Sequence, residues 1–166
     1  MMLLTGLGYL AYFVGRYATG DNDARNRRIR RLVLKVWGRS VCCLMGMRLH
    51  VEGKPPKPPF YLVSNHVSYV DILVMSTLVG PVFVAKGDME TWPLWGKMMS
   101  SAHQIFIWRE DLREIIRVNK VIDAVLEQRH DGICVFPEAT TTKGDHVLPF
   151  KPALIQPAVR HGVPIT

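Results

Sequence analysis

Cysteine is scarce: three among 166 residues, with Cys42 and Cys43 adjacent and Cys134 alone in an apolar run. No CxxC and no Cys/His ligand spacing exists, so a disulfide framework and a structural zinc site are both excluded as organising features. No metal and no cofactor are expected, and buried free thiols in a reducing compartment are the default. Long uncharged runs are also missing. The longest, "MMLLTGLGYLAYFVG", is closed by Arg16. As a helix it rises roughly 22 Å, short of a hydrocarbon core of about 30 Å. It spans a bilayer only if Arg16 snorkels and Tyr17 and Ala18 join it. It lacks the basic start of a secretory signal. Internal repeats are absent, and the one biased stretch is "EGKPPKPPF", residues 52–60, whose prolines exclude a helix interior or a central strand.

Acidic residues are few before that break. Residues 1–54 hold ten Lys/Arg against Asp21, Asp23 and Glu52, whereas residues 55–166 hold eleven of each sign. The whole net charge of +7 therefore lies in the N-terminal third. There, "DNDARNRRIRRLVLKVWGRSVCCLMGMRLHV" sets Arg and Lys against apolar positions from Ile29 to Met45, spread too widely for one narrow stripe. A basic amphipathic helix carrying Trp37 suits an anionic bilayer surface. A solvated helix face is the plain alternative. Nucleic acid is disfavoured as a partner, because the arginines run into a long apolar stretch rather than interleaved aromatics. The expected division is a basic, membrane-associated helical region over 1–54 and an α/β domain over 55–166.

Beyond the break, short apolar runs alternate with helical patterns. Strands are expected at Phe60–Ser64, Val82–Ala85, Gln104–Trp108 and Ile133–Phe136, with Val163-Pro164-Ile165 opening a last one. Helices are expected at Asp71–Val79, Trp92–Ser100 and from Leu112 to Leu126, the last stopped by His130-Asp131-Gly132. This alternation predicts a mostly parallel sheet flanked by helices. Ligands bind at the carboxyl ends of such strands. His66, Lys86, Arg109 and Glu138 each follow one of the four strands. If the strands are parallel, all four face one crevice. Asp71 stands five positions after His66. It has a structural reading as well, since Ser68-Tyr69-Val70-Asp71 matches a capping box with Ser68 as N-cap.

Four blocks of these residues resemble a known family. "NHVSYVD" fits the N-H-x-x-x-x-D block of the glycerolipid acyltransferases. "FIWRED" resembles their second block, "VFPEATTTKGDHVLPFK" their third, and "GVPI" the start of the fourth. Over about residues 60–166 the chain is similar to 1-acylglycerol-3-phosphate and related lysophospholipid acyltransferases. The resemblance implies acyl transfer from acyl-CoA or acyl carrier protein to the free hydroxyl of a lysophospholipid at a membrane. The expected site is on the cytoplasmic face of a bacterial inner membrane. By resemblance, His66 is the general base, Asp71 orients it, Lys86 and Arg109 grip the acceptor's phosphate, and Glu138 and Thr140 shape the acceptor site. An inactive lipid-binding or membrane-shaping protein of the same fold is the alternative.

Departures from the pattern carry information. Ala139 replaces the usual glycine of the third block, which is expected to narrow the turn or exclude positive φ. Thr141 stands where many phosphatidate-forming members have arginine, and Trp108 precedes Arg109 where a small or acidic residue is frequent. Both leave room for another acceptor, such as a lyso-aminolipid. The chain ends at Thr166 inside the fourth block, where family members continue, so an incomplete C-terminal part is expected.

Overall fold

The computed structural model describes residues 10, 14, 23–92, 95–108 and 112–166. The expectation for residues 1–18 therefore falls almost wholly outside the described residues, as does Arg109. By its contacts the chain divides into two compact units: Met1–Pro56 with Tyr69–Pro81, and Lys57–Ser68 with Val82–Thr166.

The first unit pairs two helices, α1 (Asp23–Leu44) and α2 (Val70–Leu78). Trp37, Val41, Cys42 and Leu73 are buried. Their close approach depends on Gly38, where an added Cβ would lie 2.8 Å from the Leu73 carbonyl oxygen and from Thr77 Oγ1. Arg30 is buried and donates to the Pro81 carbonyl. The broad apolar spread of α1 now has a reason. One face packs within the unit, while Leu32, Val36 and Leu44 are exposed beside exposed Arg25, Arg28, Lys35 and Arg39. Among the described residues no helix is long and apolar enough to cross a membrane.

α2 starts at Val70, one residue later than a Ser68 cap requires. Tyr69 occupies the cap position and makes no side-chain cap hydrogen bond, while Asp71 does fall in the first turn, where the dipole favours it.

The second unit is built on a parallel sheet of β1 (Phe60–Val63), β2 (Val82–Lys86), β3 (Ile105–Ile107) and β4 (Gly132–Val135), in the order β1-β4-β2-β3. Burial on both faces explains the near-continuous apolar runs. One face (Tyr61, Val82, Val84, Ile105, Ile107, Ile133, Val135) packs on Val118, Ile122 and Leu126 of α4 (Leu112–Glu127). Leu154 and Ala158 join that core from a 3₁₀ turn (Pro152–Leu154) and α5 (Gln156–Arg160), two elements with no distinct periodic signal in the sequence. The Tyr61 hydroxyl donates to the Leu154 carbonyl, and burial pushes its pKa upward. On the other face Ala85 and Phe106 pack against Met89 and Met99.

The anticipated last strand is present as a parallel bridge between Ile165 and Tyr61, with Tyr61 N–H donating to the Pro164 carbonyl and Thr166 N–H to that of Tyr61, each at 3.0 Å. Helix α3 (Trp95–Ser101) begins three residues after the expected Trp92. Trp92 is extended (φ −67°, ψ 132°), the conformation favoured before a proline, and a 3₁₀ turn over Gly87–Thr91 fills the gap.

Candidate active site

Parallel pairing brings the carboxyl ends of all four strands to one edge of the sheet. β1 and β4 are neighbours there, so the loops after them meet. His66 lies three residues past β1, buried, with its ring stacked on Phe136 at 4.1 Å between centroids and 18° between planes. Its backbone is held at both polar groups. The His66 N–H donates to Glu138 Oε1 at 2.7 Å, and the His66 carbonyl accepts from the Thr142 N–H at 2.9 Å. The placement of the ring is therefore set by β4 and the loop behind it.

Glu138 is buried at 4% exposure, and its second oxygen accepts from the Leu148 N–H at 2.8 Å. One carboxylate thus fastens two loops, one carrying His66 and one comprising residues 139–151. A buried carboxylate needs such donors to offset its lost hydration. The third-block proline-glutamate pair is the visible signal for Glu138. Phe136, Thr142 and Leu148 lie within the third block, but no letter there signals their roles, which are played through a ring face and backbone amides.

Ala139 has φ +59°, so the methyl does not exclude the left-handed conformation; the chain adopts it at a cost in strain. Ala139→Gly should relieve that strain but add freedom to the unfolded chain, for a net gain of about 0.5 kcal/mol. A urea unfolding midpoint that falls in the variant would contradict this.

The remaining expected residues are placed as follows. Lys86 ends β2 on the same strand-end edge, is half exposed, and pairs with Asp88. Thr140 and Thr141 are exposed on the loop after Glu138. Asp71 belongs to the first turn of α2, in the other unit. The chain leading to Arg109 is fixed at Trp108, whose indole lies where a Cβ on Gly87 would be, at 2.4 Å from the ring. Arg117 donates to the Phe106 carbonyl at 2.6 Å and to Glu114 at 2.7 Å, and Glu114 accepts from the Trp108 N–H at 3.4 Å. The Arg117 hydrogen bond, aided by the Trp108 amide, lowers the Glu114 pKa.

An apolar cleft opens beside these loops, lined by Val84, Ile107, Ile115, Val135, Phe136 and Ala139, with Lys151 also among its walls. His66 is not among the residues that line it; Phe136, on which its ring stacks, is.

Residues 47–166 match the acyltransferase family model. The chain belongs to the acyltransferase family. It is 36% identical over 148 residues to the 1-acyl-sn-glycerol-3-phosphate acyltransferase of Neisseria meningitidis serogroup B, covering 88% of this chain and 56% of that protein. To the lyso-ornithine lipid O-acyltransferase of Pseudomonas aeruginosa it is 30% identical over 166 residues, covering 99% of this chain and 62% of that one. The chain thus spans little more than half the length of these curated relatives. The crystal structure of the 1-acyl-sn-glycerophosphate acyltransferase of Thermotoga maritima shares the fold, with a TM-score of 0.74 at 23% identity over 99% of this chain and 71% of that one. The parallel α/β architecture expected of the family is the one observed.

Proposed function

We propose that this acyltransferase moves a fatty acyl group from the thioester of acyl-CoA or acyl carrier protein to the free hydroxyl of a lysophospholipid, with 1-acylglycerol-3-phosphate as the first candidate. The observation that carries this reading is His66. It stands beyond a parallel strand, seated on Phe136 and pinned through both backbone groups, at the edge that also holds Lys86 and Glu138.

A hydroxyl is a weak nucleophile until a base removes its proton, and neutral imidazole is suited to that near pH 7. His66 takes the proton as the acceptor oxygen attacks the thioester carbonyl. The new C–O bond forms, the tetrahedral intermediate collapses, and the C–S bond breaks. The departing thiolate recovers the proton from the imidazolium. No acyl-enzyme is required. The N-H-x-x-x-x-D motif, rather than a measured distance, assigns Asp71 the task of orienting the imidazole and stabilising its charged form. Lys86 and Arg109 are assigned to the acceptor phosphate, and Thr140 to the acceptor site, by the same motif correspondence. Glu138 acts on this reading as a positioning residue, since both its oxygens serve backbone amides.

The partner surface is the anionic bilayer, met by the exposed Leu32 and Val36 and by the arginines beside them on α1. That composition supports a working position for the enzyme at a membrane. Its site would lie on the cytoplasmic side of a bacterial inner membrane, where both thioester donors are made.

A second acceptor is favoured by specific observations: Thr141 is exposed where an arginine is common, and one well-covered relative is named for lyso-ornithine lipid. Transfer of labelled acyl groups from each donor to lysophosphatidic acid and to lyso-ornithine lipid separates the two. Higher kcat/KM on lysophosphatidic acid is expected. Preference for lyso-ornithine lipid would replace the acceptor, and transfer to neither would leave a lipid-binding protein of this fold.

A further inference from the structure

The loop over residues 139–151 has a feature the proposed chemistry does not use. Its base is tied down by the Ala139 N–H to the Phe136 carbonyl, the Thr142 N–H to that of His66, the Leu148 N–H to Glu138, and the Lys151 N–H to the Pro137 carbonyl. A loop so well anchored has little need of exposed apolar side chains. Yet Val147 is 57% exposed and Phe150 39%, and Val67 of the neighbouring loop is 39% exposed. Gly144, at φ +82°, brings the loop tip against Val67, with a Cβ there 3.6 Å from Val67 Cγ1. Val147 and Phe150 flank Leu148 and Lys151, whose amides are held by Glu138 and by the Pro137 carbonyl. Glu138 also holds the His66 amide, so the exposed apolar positions lie on the two loops that form a rim around His66. The same loop carries Lys143, Lys151 and Asp145, whose carboxylate lies 2.8 Å from His146 Nδ1. The two lysines, Lys143 and Lys151, are exposed.

We propose that this rim is a bilayer contact: Val67, Val147 and Phe150 enter the interfacial region of an anionic leaflet while Lys143 and Lys151 meet its headgroups. Apolar side chains flanked by lysines are the composition that seats a segment in that region. A protein partner would more commonly be met by aromatic and arginine anchors with lysine depleted. The inference rests on the acyltransferase reading, because it explains how a lysolipid reaches His66 without leaving the leaflet. It adds a contact separate from α1, on the unit that holds His66.

The test uses the full chain with Cys43→Ser and Val147→Cys, labelled with an environment-sensitive dye; Cys42 and Cys134 are buried, and Cys43 is the exposed thiol among the three. A matched label at exposed Lys120 on α4 serves as reference. Vesicles of phosphatidylglycerol and phosphatidylethanolamine should shift the emission at position 147 to the blue, and brominated lipids should quench it, with neither effect at position 120. No shift with vesicles that nevertheless pellet the protein would overturn the proposal. So would a shift that follows protein concentration without vesicles, which would give the rim to a second copy of the chain. Separately, Val147→Glu with Phe150→Glu should lower transfer to vesicle-borne lysolipid about tenfold, and leave transfer to a monomeric short-chain lysolipid within about twofold. Equal loss on both substrates would make the rim a structural part of the site and also overturn it. Absence of transfer by the unmodified protein on either substrate would sink the acyltransferase reading alone, since the dye response is read without turnover.

Discussion

His66→Ala is expected to reduce acyl transfer by about a thousandfold or more, the upper part of the range that a positioned general base contributes. The fold should survive, because the loop is also held through the His66 backbone, by the Glu138 carboxylate and the Thr142 amide. Among the contacts the variant loses is the face-to-face packing on Phe136, worth about 0.5–1.5 kcal/mol. Circular dichroism and a urea midpoint would confirm a folded chain, and lipid association should remain, since α1 is untouched. Turnover within tenfold of the unmodified protein would remove His66 from the chemistry. It would return the histidine to a buried loop residue stacked on a phenylalanine, and with it the reading of Asp71 as an orienting carboxylate.

Much of this geometry can be anticipated from the letters, for identifiable reasons. β1, β2, β3 and β4 are short and buried in a parallel sheet, so they read as unbroken apolar runs such as "ICVF". α4 shows its period because Val118, Ile122 and Leu126 face the sheet while Arg113, Arg117 and Lys120 face water. His66, Lys86 and Glu138 follow, since strand order and parallel pairing decide where strand ends lie. The 3₁₀ turn at Gly87–Thr91 is hidden because five residues are too few to show a period. α3 starts three residues after the expected Trp92 for a local reason, the constraint proline sets on Trp92. Ala139 shows a different limit. A non-glycine residue argues against positive φ, but the surrounding hydrogen bonds at Thr142, Leu148 and Lys151 impose it. The double engagement of Glu138 was invisible because its partners are backbone amides 72 and 10 positions away, and an amide has no letter of its own.

That engagement yields the second large effect. Glu138→Ala strips the acceptor from two amides, those of His66 and Leu148, at a site with 4% exposure. Hydrogen bonds to a charged group are worth about 1.5–3 kcal/mol each, and an amide left buried and unpaired costs a comparable amount. Partial relaxation of the loops recovers some of this, so a loss of about 3 kcal/mol in unfolding free energy is expected. Glu138→Gln should fall between the two. Its carbonyl oxygen can accept one amide, but its NH₂ then faces the other donor. Turnover should drop in both variants through kcat, because the loop that seats His66 loosens while the groups assigned to the acceptor are unchanged. Amide exchange at Leu148 and Thr142 should rise in step. A residue that only binds the acceptor's glycerol would behave otherwise: Glu138→Gln would raise KM, keep the urea midpoint, and leave both amides protected. The exchange rates therefore separate a clamp from a substrate ligand even where the kinetic change is small.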